Sequence, residues 1–268
     1  TERAARAVSE GIEAYKFNEA ASAVYEFVWG TFCDWYLELT KPTLMGDDET
    51  AKAETRATIA WVLDQILKLL HPFMPFITEE LWAHMVEHGE KRRSLLALSQ
   101  WPELAGLADA AADAEISWVI ALVDEVRSLR TEMSVPAAAK IPLVLIGADA
   151  TMRVRAHRNE DTIKRLARLD TLEHADAAPK GAALVVIGGT TAALPLAGII
   201  DMAGERARLE KEIAAARVDL DKMDAKLTNP AFVERAKPEA VEEARARKAE
   251  LEAGIAKWSA ALKRIEGS

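Results

Sequence analysis

The last 70 residues carry a repeat that leaves the chain little conformational choice. Leu209, Ile213, Ala216, Leu220, Met223 and Leu227 follow one another at steps of 4, 3, 4, 3 and 4, and Met202 stands one heptad ahead of Leu209. A second run, Val241, Ala244, Lys248, Leu251, Ile255, Trp258, Leu262 and Ile265, steps by 3, 4, 3, 4, 3, 4 and 3. Alternating steps of three and four hold apolar side chains on one stripe of a helix, and that stripe has to be buried against another helix. Asn229-Pro230 stops the first helix, and Pro238 suits the first turn of the second. So short a connection returns the second helix alongside the first. Residues 198–268 therefore read as an antiparallel coiled-coil hairpin, whose arms of about 26 residues reach roughly 40 Å. Lys248 occupies a seam position, where its stem is expected to be buried and its ammonium to reach out.

Upstream the periodicity is helical but the helices are separate. One long helix is expected from Asn18 to Thr40, with Val24, Val28, Trp35 and Leu39 on one side, Phe27, Phe32 and Tyr36 widening the stripe, and Pro42 as its stop. Ile59, Val62, Leu63, Ile66 and Leu70 mark a second, ended by His71-Pro72, and a third begins near Pro75 with Ile77, Leu81, Trp82 and Met85. Ile116, Val119, Val123, Val126 and Met133 mark a fourth, broken at Val135-Pro136. The pattern then shortens. IPLVLIG (Ile141 to Gly147) and ALVVIGG (Ala183 to Gly189) are β-branched and bounded by Pro and Gly, Thr191 to Leu196 adds a third strand after a Gly188-Gly189 turn, and Ala150 to Leu169 between them is charged and helical. The fold class is mainly α: an antiparallel helical bundle (1–135), a small α/β appendage (136–197) packed on it, and the long hairpin (198–268).

Composition removes several classes of function. The one cysteine, Cys33, rules out an internal disulfide and Cys₄ or Cys₂His₂ zinc sites. His84 and His88 stand at i, i+4, but no HExxH glutamate or third ligand accompanies them or His71, so no metal site is expected. No apolar run of about 18 residues occurs, and the charged start, TERAARAVSEGIEAYKF, has no apolar signal core. A cytoplasmic chain without membrane contact follows. The net charge of −9 argues against nucleic acid in bulk. That surplus is local, however: residues 198–268 hold 14 bases and 14 acids, leaving 20 bases against 29 acids in residues 1–197. RNA contact must use local basic patches.

Several segments resemble the valyl-tRNA synthetase family, in that family's order. FNEAASAVYEFVWGTFCDWYLELTKP (Phe17 to Pro42) and HPFMPFITEELW (His71 to Trp82) are similar to the anticodon-binding helical domain shared with the isoleucyl and leucyl enzymes, and VRSLRTEMSVPAAAKIPLVL (Val126 to Leu145) resembles the end of that domain. PLAGIIDMAGERARLEKEI (Pro195 to Ile213) and NPAFVERAKPEAVEE (Asn229 to Glu243) resemble the valyl coiled-coil arm. The resemblance implies that the parent enzyme joins valine to its tRNA with ATP and magnesium. The HIGH and KMSKS signatures and the editing domain would precede Thr1, so this portion is expected to be catalytically inactive and to hold no cofactor. Its implied partner is the tRNA for valine, with no DNA, and a monomer is expected.

Candidate contacts are basic. Arg127 and Arg130 share a helix face at i, i+3, where they can clamp phosphates or pair with Glu125, Glu132 or another helix. Lys41 follows the first long helix, as a phosphate contact or an ordinary C-terminal charge. The helical spacing of Phe32, Trp35 and Tyr36 favours bundle core over a base-stacking surface. Along the arm, Arg206/Glu210, Arg208/Glu212, Arg217/Asp221, Glu243/Arg247 and Lys248/Glu252 are i, i+4 pairs that account for most of its charge. Its bend differs: from 222 to 237, Lys222, Lys226, Arg235 and Lys237 outnumber Asp224 and Glu234 by two, and these bases are expected to lack local partners. A tRNA-binding reading places the bundle at the anticodon arm and the hairpin at the outer corner of the tRNA. The alternative from another class is a protein–protein scaffold that uses the hairpin to bind a partner helix.

This division predicts separable folding. A chain of residues 1–197, which keeps Trp29, Trp35, Trp61, Trp82 and Trp118 and loses Trp258, is expected to retain cooperative helical structure by circular dichroism; an unfolded spectrum refutes it.

Overall fold

The computed structural model describes residues 1–85, 94–230, 232 and 238–266. Two compact units partition the chain, Thr1–Asp113 and Ala114–Ser268.

The first unit is helical: α1 (Glu2–Glu13), α2 (Phe17–Glu26), a π-wound stretch (Phe27–Tyr36), α3 (Leu37–Met45), α4 (Glu49–Leu70) and α5 (Pro75–His84). Where one α-helix is expected from Asn18 to Thr40, the chain widens into ten residues of π-helix, an unusual length for a form seen mostly as single-turn bulges. Its inward residues Phe32 and Tyr36 stack at 5.8 Å between ring centres, and Phe32 packs with Val62 and Ile66 of α4. These rings belong to the core, as their spacing suggests. Pro42 is not a stop: α3 runs past it to Met45, because proline deletes one N–H donor while leaving the residues behind it free to stay helical. The helix ends where Gly46 turns extended. Asp48 then caps α4, accepting from the amides of Thr50 and Ala51 at 2.9 and 3.0 Å. Of its expected stripe α4 buries Val62 and Ile66 and half-buries Ile59, Leu63 and Leu70, while Leu67 and Leu69, off that stripe, are buried as well; the helix ends before Pro72. At the start of the chain α1 and α2 approach so closely that a Cβ on Gly11 would lie 2.9 Å from that of Ala20.

The second unit begins within α6 (Ala110–Glu132), whose Val119, Leu122, Val123 and Val126 are all fully buried. Four strands follow, β1 (Ile141–Ile146), β2 (Leu169–Ala175), β3 (Ala182–Ile187) and β4 (Thr190–Pro195), in the order β2-β1-β4-β3. Strands β3 and β4 share the expected tight hairpin, with Gly188 and Gly189 both left-handed at φ 54° and 85°. Strand β2 departs from the expected pattern. Its sequence, LDTLEHA, is polar because it forms the exposed edge, pairing only with β1 and in parallel. The segment from 150 to 169 is accordingly two helices and the start of that strand: α7 (Ala150–Arg158), α8 (Glu160–Ala167), and a break at Asn159, whose amide nitrogen donates to Arg155 O and Glu115 Oε1.

A buried arginine joins these parts. Arg130, in the last turn of α6, is 6% exposed and donates to the carbonyls of Arg168 (3.2 Å), Pro136 (3.2 Å) and Ala139 (2.7 Å). One guanidinium thus fixes the loop after α6, the approach to β1 and the end of α8.

The arm is α9 (Met202–Thr228) and α10 (Pro238–Glu266), packed along their length. Leu209, Ile213, Ala216, Val241, Ala244 and Leu251 of the expected seams are buried, and Leu220, Met223 and Leu227 are half-buried toward the bend. Lys248 behaves as expected of a seam lysine: its stem is largely covered and its Nζ meets Asp224 Oδ1 of the other helix at 2.5 Å, which raises its pKa. At the base of α9, Glu205 is buried, accepting from Arg208 at 2.6 and 2.9 Å and from the Ser134 hydroxyl at 3.4 Å.

Two outcomes are expected. Arg130→Met takes its donor from Ala139 O while Arg168 O and Pro136 O keep the amides of Ile141 and Ala139, and should lower the opening free energy of β1 amides by about 1–3 kcal/mol in native-state hydrogen exchange. Gly11→Ala forces α1 and α2 apart and should destabilise by about 1–3 kcal/mol in urea unfolding, with much of the stability recovered in Gly11→Ala/Ala20→Gly.

Candidate nucleic-acid interface

The basic residues expected to touch RNA meet different fates. Lys41, on the surface of α3, is paired with Glu38 one turn earlier, so its charge is partly neutralised at home. Arg130 is buried: it donates to main-chain carbonyls inside the second unit, and burial together with the charge of Arg168 lowers its pKa. Of the two arginines expected to share a phosphate-facing side, Arg130 lies buried and Arg127 does not. Spacing of three along a helix sets a shared side but not a shared depth. Arg127 remains at the surface, and its Nε donates to Leu166 O at 3.0 Å.

At the far end of the arm, Lys222 and Lys226 lie in the last two turns of α9. Lys226 is 21 residues beyond Glu205, or about 30 Å along the helix. The expectation that Lys222 lacks a local partner is corrected: its Nζ lies 2.8 Å from Asp219 Oδ1, one turn back and just outside the basic stretch of the bend. Such an exposed pair contributes little and exchanges readily for a phosphate. Lys226 is held differently. Its Nζ sits 4.6 Å from the ring centre of Phe232, a cation–π contact that sets its direction without neutralising its charge. Phe232 is kept in place by its amide, which donates to Asn229 O at 3.0 Å across the turn. Arg235 and Lys237 lie outside the described residues.

Along the stem, Arg206 pairs with Glu210 at 2.9 Å and Lys248 reaches Glu252 at 3.7 Å, as the i, i+4 spacing requires. Arg208 and Arg247 turn instead to Glu205 and Glu250 at i, i−3 and i, i+3. The stem thus pairs several of its charges internally, though not by the expected Arg217/Asp221 and Glu243/Arg247 contacts. Sequence reasoning missed two participants. Phe232 carries only the weak signal of an aromatic in a polar bend, and Arg168 carries none, because its place beside Arg127 depends on strand β2. Tyr25 and Trp29 are a further surface feature, 64% and 55% exposed, off the inward stripe that holds Phe32.

No group of three or more His, Cys, Asp or Glu side chains suited to a metal ion occurs among the described residues, and none of their helices is long and apolar enough to cross a membrane. His88 lies outside them.

Comparison with known proteins gives the family. Residues 1–145 match the profile of the anticodon-binding domain of tRNA ligase, and residues 201–266 match that of the valyl tRNA synthetase tRNA binding arm. Among similar proteins are the valine–tRNA ligase of Caulobacter vibrioides, 54% identical over 259 residues, and that of Rhizobium meliloti, 52% identical over 263. These matches take in 96% and 98% of the chain but 29% and 28% of the relatives. The chain thus spans less than a third of the length of these relatives. With an anticodon-binding helical region at one end and a tRNA-binding arm at the other, the chain belongs to the valyl-tRNA synthetase family.

Proposed function

We propose that the chain grips the tRNA for valine at two places, the helical region taking the anticodon arm and the α9–α10 arm the outer corner of the L. The observation that carries this reading is the arm itself: two helices of 27 and 29 residues that bury their seam, pair several of their stem charges, and carry Lys222 and Lys226 toward the bend. A rigid lever with basic residues toward its end suits a ligand that is large, anionic and distant from the lever's base. Lys41, Arg127, Arg235 and Lys237 are the further contacts in this proposal, with Arg130 holding the framework behind Arg127. On this reading the ATP-dependent attachment of valine belongs to the portion of the relatives beyond the match, and the present chain contributes recognition.

An open groove of about 480 Å³ along the arm, where exposed Ala214 and half-buried Leu262 lie with Glu210, Arg217 and Lys263 around them, is the place a partner helix would take on the scaffold alternative. Ionic strength separates the two. Binding of tRNA through several phosphates weakens steeply as salt rises, and apolar docking does not.

The chain is expected to bind valine tRNA more tightly than an unrelated tRNA in filter-binding titrations at two salt concentrations. Replacing Lys222, Lys226, Arg235 and Lys237 together by Gln should weaken binding at low salt and reduce the slope of log K against log salt by about 0.7–0.9 for each phosphate no longer engaged. Helicity should be unchanged. Unaltered affinity and slope would remove the arm's end from the interface.

A further inference from the structure

The framework around Arg130 opens onto a groove that the arm's tip does not explain. It measures about 390 Å³ and is lined by Arg127, Arg130, Thr131, Val135, Ala137, Leu166, Ala167 and Arg168. Three of these eight residues are arginines and none is an acid, in a chain whose acids outnumber its bases by nine. Each guanidinium is aimed by the backbone: Arg127 Nε donates to Leu166 O at 3.0 Å, Arg130 to three carbonyls beneath, and Arg168 Nη1 to Ala137 O. Carbonyls at the end of α8 favour the cations but carry only partial charge, and Asp124, one turn back along α6, offsets part of the charge of Arg127 alone. Arg127 and Arg168 are exposed and Arg130 is buried, which places two planar forks at the rim over a fixed positive floor.

The backbone supplies an independent observation. Arg168 caps α8 in the left-handed region, φ 55° and ψ 58°, a position where glycine is the ordinary occupant and a larger residue is strained. Tyr15 and Ser134 share this region of φ, and what sets Arg168 apart is that its guanidinium lines the groove while Nη1 holds Ala137 O. A guanidinium fork binds two oxygens of a phosphate at once, which neither lysine nor a simple surface charge reproduces.

We infer that the groove between the end of α6 and the end of α8 seats a backbone phosphate of the bound RNA, held by Arg127 and Arg168 with Thr131 beside them. This rests on the tRNA-binding reading and adds to it a contact at the base of the arm, close to Ser134 where Glu205 anchors α9. Inorganic phosphate offers the same oxygens, so the test has a branch for each source.

In the first branch, the Nε–Hε resonances of the arginines are followed by NMR in the full chain during titration with inorganic phosphate and then with valine tRNA. Saturable shifts at Arg127 and Arg168 are expected from both. In the second, tRNA binding is measured against salt for Arg127→Gln and for Arg168→Gly, the latter removing the cation while relieving the backbone. Each variant is expected to flatten the salt slope by about 0.7–0.9. Arg127→Lys, which keeps charge without the fork, should restore only part of the affinity. Shifts with phosphate but an unchanged tRNA slope would assign the groove to a free anion and overturn the RNA contact; no shifts with either ligand would overturn the seat itself. If the quadruple tip variant flattens the slope while Arg127→Gln and Arg168→Gly do not, the groove proposal falls and the arm reading stands. Failure of the unmodified chain to bind tRNA with any salt dependence would remove the arm reading as well.

Discussion

The second unit depends on one charge taken out of water. The guanidinium of Arg130 sits under the surface with three main-chain carbonyls around it, from the loop after α6 and from Arg168 at the end of α8. A buried cation is costly unless its donors are used, and here the backbone carbonyls use them. The same bonds let α6 end, the chain reverse, and β1 begin beside the residue that leads into β2, where Ile141 N donates to Arg168 O at 3.4 Å. The sheet, the rim arginines and the base of the arm all take their places from this junction.

What is legible in advance follows from how strongly burial is written into the pattern. The stripes of α4 and α6 and the seams of α9 and α10 are long and regular, and they lead to the observed helices and to many of the residues these bury, though Leu67 and Leu69 of α4 lie off the expected stripe. The π-wound stretch is hidden because its apolar residues satisfy the α pattern equally well, the distinction lying in which carbonyl each amide reaches. Strand β2 is hidden for the opposite reason: an exposed edge strand needs no apolar alternation, so LDTLEHA looks like a helix end. Pro42 misleads because a proline signal is statistical and the helix around it outlasts it by a turn.

Among the candidate contacts, the limits are of depth and neighbourhood. Arg127 and Arg130 are indistinguishable along the chain, and only the folded loop decides that one is interior and the other superficial. Lys222 looks partnerless when the bend is considered by itself, since Asp219 stands one turn back along α9. Phe232 and Arg168 gain meaning only through Lys226 and Arg127, residues brought to them by a turn and by a parallel strand. A site of this kind is composed by topology and is diffuse in sequence.

The antiparallel seam also makes the arm a graduated rod. Because both helices bury matched heptads, seven residues added to each would lengthen it by about 10 Å while keeping the end facing nearly the same way. Four residues added to each would lengthen it by about 6 Å and turn its end by roughly 40°. Reach and aim are therefore separate variables, the first adjustable in whole heptads at little cost to packing and the second disturbed by any other increment. In homologous arms, length differences are accordingly expected in paired multiples of seven, with the residues at the bend holding a constant azimuth to the base at Glu205.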